Sequence, residues 1–313
     1  MAATTGIVIS AAAGHLTGPG HPECPRRVEA IAARLERDGL SAKLVPIAAR
    51  PASDEEILRC HTQEYLRTVR ENVAEGRSRL ATGDTNVSAG SLDAALCAAG
   101  GLLAAVDAVM AGRVGNAFAA IRPPGHHATP DRGMGFCLFN NVALAARHAQ
   151  VRHGARRVLI ADWDVHHGNG TQDIFYEDGS VLFFDTHQSP LYPGTGAAGE
   201  RGRGPGAGCI INNPFPAGAG REEIVTAFRD RLLPAAATFR PDLVLVSAGF
   251  DSRAGDPLGG FRLSDDDFAE LTRIVKAIAA EHCQGRLVST LEGGYDPDGL
   301  AAAAASHVQA LLG

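Results

Sequence analysis

The sequence has 313 residues, 45% of them hydrophobic, so the chain can bury a large core. The formal net charge is −6, and this composition lacks the basic excess of nucleic-acid-binding proteins. Residues 1–10 contain neither a basic leader nor a long apolar segment, and no apolar run reaches the roughly 18 residues of a membrane span. The composition therefore predicts a cytoplasmic protein that binds neither nucleic acid nor membranes. Neither a monomer nor an oligomer is excluded.

Apolar strands alternate with helices along the chain. The predicted strands span residues 6–9, 116–121, 158–161, 181–184, 209–211, 243–247 and 287–291. The predicted helices span residues 26–38, a segment that begins at Asp54, and residues 88–110, 140–152, 222–239 (interrupted near Pro234) and 265–282. This alternation predicts an α/β fold, with a mostly parallel central sheet and helices on both faces. No linker divides residues 1–313, so a single domain is expected. The six cysteines are scattered without a C-x-x-C pair, which favours reduced, mostly buried thiols.

Reactive side chains directly follow four of the predicted strands. Along the chain they are His126 and His127, then Asp162, Asp164 and His166, then Asp251, and finally Tyr295. The carboxyl ends of parallel strands meet at the edge where open α/β sheets bind their ligands. The sequence therefore predicts that these side chains line one cleft.

Three of these side chains suit a metal ion. Asp164, His166 and Asp251 would hold one Zn²⁺ and leave room for water and a substrate carbonyl. If the strand stayed extended, Asp162, Asp164 and His166 would share one face, because side chains alternate along a strand. The alternative is a strand followed by a polar turn with incidental acids.

A zinc ion with two carboxylate ligands is a mild Lewis acid, so it needs help from neighbouring groups. The His126–His127 pair can supply a base for the water, and the Tyr295 hydroxyl can donate to the carbonyl oxygen. Gly293 and Gly294 would give Tyr295 a mobile or unusually shaped loop.

Several motifs together resemble one protein family. They are R-P-P-G-H-H, G-F-C-L-F-N-N, D-W-D-V-H-H-G-N-G-T-Q, S-A-G-F-D-S-R-A-G-D-P-L-G-G and L-E-G-G-Y, with H-P-E-C-P-R-R-V near the N-terminus. The chain resembles the zinc-dependent histone deacetylases of the arginase/deacetylase fold, a superfamily that includes bacterial-type deacetylases and acetylpolyamine amidohydrolases. Asn169 after H-H-G is typical of class II, whereas class I relatives carry aspartate there. The resemblance implies that His127 is less basic than in class I, while Asp162 pairs with His126.

The resemblance also assigns a substrate channel. Phe136 and Tyr192 would wall a narrow passage for an acyl-lysine stem, and the Gly135 carbonyl would accept the substrate amide N–H. Leu258 stands where deacetylases carry an apolar residue and a polyamine-selective branch carries glutamate. Asp84 is a candidate for the mouth, where it would grip the substrate backbone.

A structural monovalent cation, usually K⁺, is implied behind the zinc. It would use the Asp162 carboxylate and backbone oxygens of Asp162, Asp164, His166 and Thr186, with Asp185 nearby.

The resemblance implies an amidohydrolase that removes an acyl group, expected to be acetyl, by means of metal-activated water. The substrate would be an acyl-lysine in a peptide or protein, and the alternative is a small acylated amine or an acetylpolyamine. A catalytically silent metal-binding relative and an arginase-like di-manganese ureohydrolase are competing interpretations. Tyr295 and the intact ligand triad disfavour the first, and the lack of a visible second-metal ligand set disfavours the second.

Four further polar residues received no catalytic role. His15 and His21 are expected at the surface or the rim of the site, and Arg201 and Arg203 are expected to be solvated.

Overall fold

Eight parallel strands form one sheet, with the order β2-β1-β3-β8-β7-β4-β5-β6. The structure, a computed structural model, describes residues 4–313, so the first three residues of the segment predicted to lack a leader lie outside the described residues. The strands are β1 (Thr5–Ser10), β2 (Leu44–Pro46), β3 (Asn116–Ile121), β4 (Val158–Asp162), β5 (Val181–Gln188), β6 (Ile210–Phe215), β7 (Leu243–Ala248) and β8 (Leu287–Leu291). The predicted α/β class and parallel sheet are confirmed.

Ten α-helices surround the sheet in residues 4–313. They are α1 (Arg26–Arg37), α2 (Asp54–Ile57), α3 (Gln63–Ala74), α4 (Ser91–Met110), α5 (Asn141–His153), α6 (Asn169–Phe175), α7 (Arg221–Ala227), α8 (Leu233–Phe239), α9 (Asp265–Cys283) and α10 (Pro297–Leu312). Helices α3, α6 and α10 and strand β2 were missed by the sequence analysis.

The predicted helix over residues 222–239 is divided by a π-helical turn. This turn, Phe228–Leu232, separates α7 from α8 and ends just before Pro234. Proline has no N–H to donate to the preceding turn, so a local change of helical pitch is expected there. Strands β5 and β6 also run further than predicted, because polar residues such as Asp185 and Asn212 are buried and paired within the sheet.

Side chains alternate between two apolar cores, one on each face of the sheet. In β4, Leu159 belongs to the core beneath α1, α9 and α10, whereas Ile160 belongs to the core beneath α3, α4 and α5. Because both faces are covered, β4 is buried along its whole length. This burial explains why the strand sequence is apolar without alternation.

Helix α4 is long and apolar enough to cross a membrane by length and composition, but 67% of that segment is buried inside the protein. It packs against β1, β3 and α5 as a core helix. The Gly100–Gly101 pair is a close-packing point, because a Cβ atom on Gly100 would lie 2.0 Å from the Arg50 carbonyl oxygen.

A buried ion-pair network joins the N-terminal loop to the sheet. Both Glu23 carboxylate oxygens accept hydrogen bonds from Arg122, at 2.5 and 2.7 Å, and Arg27 lies 3.4 Å away. Burial alone would raise the pKa of Glu23, but hydrogen bonds from His15 and Arg122 and the charges of the two arginines lower it. His15 is fully buried in this network, so its expected surface or rim position was wrong.

Replacing Glu23 by glutamine should lower the free energy of unfolding by about 3–5 kcal/mol, because it leaves Arg122 and Arg27 buried without their carboxylate. Urea unfolding measures this difference. The difference should shrink as the pH falls from 4.5 towards the lowered pKa of Glu23, because the unfolded wild-type chain takes up a proton in this range while the folded carboxylate stays ionised.

The matched control is Glu36→Gln, since Glu36 is exposed on α1 and should change stability by no more than about 0.5 kcal/mol. A Glu23→Gln protein as stable as the control would show that the network does not depend on the buried charge.

Candidate active site and metal centre

The four strands predicted to deliver reactive side chains are neighbours in the sheet. Their order is β3-β8-β7-β4, so the loops that follow them converge at one edge. The loop after β3 carries His126 and His127, and the loop after β8 carries Tyr295. The loop after β7 carries Asp251, which is fully buried. The predicted single cleft is therefore present in the fold.

Asp164, His166 and Asp251 form the centre of this cleft. The Nδ1 atom of His166 lies 3.0 Å from Asp164 Oδ1 and 3.1 Å from Asp251 Oδ2. All three side chains are buried, and their ligand atoms lie within 4.8 Å of one another. Two carboxylates and one imidazole at this spacing fit a divalent transition metal ion, which would also offset the repulsion between the two acids.

The polypeptide turns away from the strand before it reaches His166. Strand β4 ends at Asp162, whose Oδ1 atom accepts a hydrogen bond from the Asp164 N–H at 3.0 Å. Asp164 Oδ1 in turn accepts from the His166 N–H at 2.9 Å. The three residues do not share one strand face, because these two side-chain-to-backbone turns replace the extended conformation. Asp162 instead contacts His126.

Backbone groups from neighbouring loops hold the two carboxylates. The Gly293 N–H donates to Asp164 Oδ2 at 2.7 Å, and the Val165 N–H donates to Asp251 Oδ1 at 2.9 Å. A Cβ atom on Gly293 would lie 1.9 Å from Asp251 Oδ2, so this position requires glycine. Burial, together with the adjacent Asp164 charge, raises the pKa of Asp251 to about 7.

The two histidines of the pair have different partners. His127 Nδ1 lies 2.8 Å from the amide oxygen of Asn169, which can only accept, so Nδ1 carries the proton and Nε2 keeps its lone pair. Burial, and then the charges of His126 and His166, lower the pKa of His127 well below its usual value. His126 Nδ1 lies 3.0 Å from Asp162 Oδ2. Burial alone would lower the pKa of His126, but the Asp164 and Asp162 carboxylates raise it.

Tyr295 is fixed from three sides. Its backbone N–H donates to Asp256 Oδ2 at 2.7 Å, and the Arg27 guanidinium lies 4.8 Å from its ring centroid. Arg27 also donates to the Gly294 carbonyl at 2.6 Å. The φ angle of Gly294 is +118°, so the loop has an unusual shape, as predicted. Burial raises the pKa of Tyr295, which keeps its hydroxyl protonated as a donor.

A cavity of about 300 Å³ leads from the surface to this centre. It is lined by Asp84, His127, Gly135, Phe136, His166, Leu191, Tyr192, Leu258 and Tyr295. The structure therefore brings together all five predicted channel residues. Gly135 and Phe136 both have positive φ angles, and a Cβ atom on Gly135 would lie 2.2 Å from the His127 ring.

Asp84 lies at the mouth and supports the channel wall. Its Oδ1 atom accepts a hydrogen bond from the Gly135 N–H at 2.8 Å, and its Oδ2 atom accepts from the Tyr192 hydroxyl at 3.1 Å. Burial, and then the Asp84 charge, raise the pKa of Tyr192 above its usual value, so the hydroxyl stays protonated. His21 packs edge-on against Phe136 at 4.8 Å, which agrees with its expected rim position.

The residues assigned to a monovalent cation lie behind the centre. Asp162 on β4 is paired in register with Asp185 on β5, and both side chains are buried. Both carboxylates border Gly168, since a Cβ atom there would lie 2.6 Å from Asp162 Oδ2 and 3.3 Å from Asp185 Oδ2. The Thr186 hydroxyl faces the Asp162 carbonyl oxygen at 3.5 Å.

Three residues of the site were not predicted from the sequence. Glu292 is fully buried, and its Oε2 atom accepts from the N–H groups of Gly125 and His126, so it fixes the loop that carries the histidine pair. Glu292 lies inside the L-E-G-G-Y motif, and this position could have identified it from the sequence. Arg27 lies within H-P-E-C-P-R-R-V, whereas Leu191 had no local signal. Arg201 and Arg203 are exposed, as expected.

Comparisons with known proteins agree with this geometry. The "Histone deacetylase domain" family model matches residues 21–311. A "Histone deacetylase-like amidohydrolase" of Pseudomonas aeruginosa is 43% identical over 91% of this chain and 73% of its own length. The human "Polyamine deacetylase HDAC10" is 42% identical over 93% of this chain, which spans only 45% of that longer protein.

A solved structure described as "Crystal Structure of HDA15 HD domain" superposes with a TM-score of 0.94. It is 38% identical, and the match covers 100% of this chain and 89% of that one. The chain therefore belongs to the histone deacetylase family, in its class II-like branch, and is a hydrolase that removes acyl groups from acylated amines.

Proposed function

We propose that the chain binds one Zn²⁺ through Asp164, His166 and Asp251 and hydrolyses acyl-lysine side chains of peptides or proteins, releasing acetate. The observation that carries this proposal is the convergence of the three buried ligand atoms at the inner end of a cavity lined by the rings of Phe136, Tyr192 and Tyr295. The family implies a catalytic zinc, and the donor set fits it.

When bound, zinc would polarise the substrate carbonyl and lower the pKa of a water molecule. The Tyr295 hydroxyl would donate a hydrogen bond to the carbonyl oxygen as charge develops there. His127 would accept the proton of the attacking water at Nε2, since Asn169 holds the other ring nitrogen as N–H. A histidine of the pair would then protonate the leaving amine.

The channel supports a linear, apolar substrate stem. Phe136 and Tyr192 present aromatic surface, and Leu258 adds an apolar side chain at the same cavity. Burial of a methylene stem against these residues would contribute on the order of 1–3 kcal/mol. The Gly135 carbonyl would accept the substrate amide N–H, and Asp84 would contact the substrate backbone at the mouth.

A second candidate is hydrolysis of a small acylated amine or an acetylpolyamine. The human relative named as a polyamine deacetylase favours it, since it is 42% identical. The apolar Leu258 argues against it, because a secondary ammonium beside this residue would lose water without gaining a carboxylate partner.

We also propose a structural K⁺ that binds the Asp162 carboxylate and the backbone oxygens of Asp162, Asp164, His166 and Thr186, with Asp185 nearby. The two buried acids beside Gly168 support a cation at this position. The proposed enzyme is one catalytic domain over residues 1–313 that acts in the cytoplasm. Its six free cysteines support this location, because oxidising compartments favour disulfides.

Asp251→Ala should remove the zinc of this centre and abolish hydrolysis while the fold stays largely intact, because only one of three ligands is lost but the remaining pair binds weakly. Elemental analysis should show one zinc equivalent fewer than in wild type, and circular dichroism measures the fold. Asp266→Ala is the control, since Asp266 is exposed on α9. If Asp251→Ala kept the zinc of this centre, Asp251 would not be a ligand.

Tyr295→Phe should lower kcat by roughly 10²–10³, the usual scale for one oxyanion donor, because only the hydroxyl is removed. Binding of a hydroxamate chelator should survive, since the ring still packs against Phe136 and Arg27. Steady-state kinetics on an acetyl-lysine peptide test this expectation, with Tyr176→Phe as the control. Near-normal turnover of Tyr295→Phe would remove this residue from the role of carbonyl donor.

Leu258→Glu should shift the preference from acetyl-lysine towards acetylpolyamine substrates, because a carboxylate would then face the secondary ammonium. The measurement is the ratio of kcat/KM for the two substrates in wild type and variant. Leu258→Gln is the matched control, since it has nearly the same shape as glutamate without the charge. A wild-type ratio that favours acetylpolyamine by tenfold or more would replace the acyl-lysine proposal with the second candidate.

A further inference from the structure

A second cluster of metal-binding side chains lies outside the cleft, between α4 and α5. Asp107 Oδ1 lies 2.7 Å from the Nε2 atom of His148 and 2.7 Å from the Nε2 atom of His153. The ligand atoms of the three residues all lie within 4.8 Å of one another. The Asp164–His166–Asp251 centre shows the same spacing of ligand atoms. That centre has one imidazole and two carboxylates, whereas this cluster has two imidazoles and one carboxylate.

The cluster is open to solvent on one side. His148 is buried, whereas the side chain of His153 is 23% exposed and that of Asp107 is 35% exposed. An ion could therefore enter from solvent, and water would complete its coordination. Two imidazole nitrogens with one carboxylate oxygen suit zinc and its first-row neighbours rather than Mg²⁺ or Ca²⁺, which prefer oxygen ligands.

A carboxylate stands behind the buried imidazole. The Nδ1 atom of His148 lies 3.6 Å from Glu56 Oε1, and Glu56 is itself held by Arg50 at 2.6 Å. When a histidine binds a metal through Nε2, its proton must be on Nδ1, and that N–H is commonly donated to a carboxylate. Glu56 lies just beyond hydrogen-bond distance of this nitrogen, so a small side-chain shift would let it accept the proton when a metal is bound.

We infer that Asp107, His148 and His153 form a second site for a divalent transition metal ion, such as Zn²⁺, that is separate from the catalytic centre. The bound ion would join α4 to the C-terminal end of α5, and through Glu56 it would involve α2. Helix α5 begins at the active-site loop, where its N-cap residue Asn140 donates to the Ala128 carbonyl at 3.1 Å. The ion would thus fix the far end of the helix that supports the histidine pair, which is a structural role.

The competing explanation is a hydrogen-bonded cluster without metal. In that arrangement Arg59 donates to His148 Nδ1, which lies 3.3 Å away, and both Nε2–H groups donate to Asp107. Asp107→Asn separates the two explanations. The amide oxygen of asparagine still accepts hydrogen bonds from both imidazoles, but it is a much weaker metal ligand than a carboxylate.

The test is the zinc content of the purified protein after dialysis against a buffered micromolar zinc solution. Wild-type protein should hold two equivalents, and Asp107→Asn and His153→Gln should each hold one while keeping deacetylase activity. Asp251→Ala should also hold one equivalent, and Asp251→Ala combined with His153→Gln should hold none. Arg152→Ala, next to His153 and outside the cluster, is the control and should match wild type.

Zinc should also raise the melting temperature of Asp251→Ala but not that of the double variant, because only the single variant keeps a site. The inference is wrong if His153→Gln and Asp107→Asn hold as much zinc as wild type, or if wild type holds one equivalent that Asp251→Ala loses. If His153→Gln loses an equivalent and Asp251→Ala loses none, the second site stands and the proposed catalytic ligand set falls.

Discussion

The burial of two carboxylates side by side at the carboxyl edge of the sheet is the constraint on which the site depends. Asp164 and Asp251 both approach His166 to about 3 Å and have almost no contact with solvent. Such a pair is tolerated only when hydrogen bonds and a cation compensate for lost water. The Gly293 and Val165 N–H groups supply hydrogen bonds from the loops after β8 and β4. The same contacts therefore shape the loop that presents Tyr295.

Tyr295, the proposed hydrogen-bond donor to the substrate, is held by a different part of the chain from the proposed metal ligands. Arg27 lies in the first turn of α1, yet it contacts the Gly294 carbonyl and the Tyr295 ring. Its charge is balanced inside the protein by Glu23, which also pairs with Arg122 at the end of β3. The loop that follows β3 carries the histidine pair. One buried carboxylate thus couples the positions of the tyrosine and of the two histidines, although it touches neither.

Reactive side chains that directly follow an apolar strand could be placed from the sequence. The burial of polar loop residues could not, because it depends on contacts between segments that are distant in the chain. Asp251 and Tyr295 follow apolar strands, so their edge position could be predicted from topology alone. His15 lies in a loop between Gly14 and Leu16, and nothing local indicates that it pairs with Glu23 in the interior. The turn from Asp162 to His166 was also unpredictable from period-two alternation, because side-chain hydrogen bonds to backbone N–H groups replaced the strand. Buried polar residues extended β5 past its predicted end for the same kind of reason.

Under the proposed function, the selectivity of the channel depends on Asp84, the only carboxylate that lines it among the described residues. Asp84 accepts one hydrogen bond from the Gly135 N–H and another from the Tyr192 hydroxyl, so both oxygens are engaged by the channel wall. An incoming ammonium would have to compete with these donors, whereas a neutral methylene stem would not. The carboxylate therefore holds Gly135 and Tyr192 in place, and because Asp84 is exposed it acts at the mouth, where the proposed contact with the substrate backbone would form. Under the proposed function, the channel would therefore prefer the neutral stem of an acylated lysine. A cationic stem would lose its hydration in the channel without gaining a carboxylate partner, so no repulsive charge is needed to exclude it.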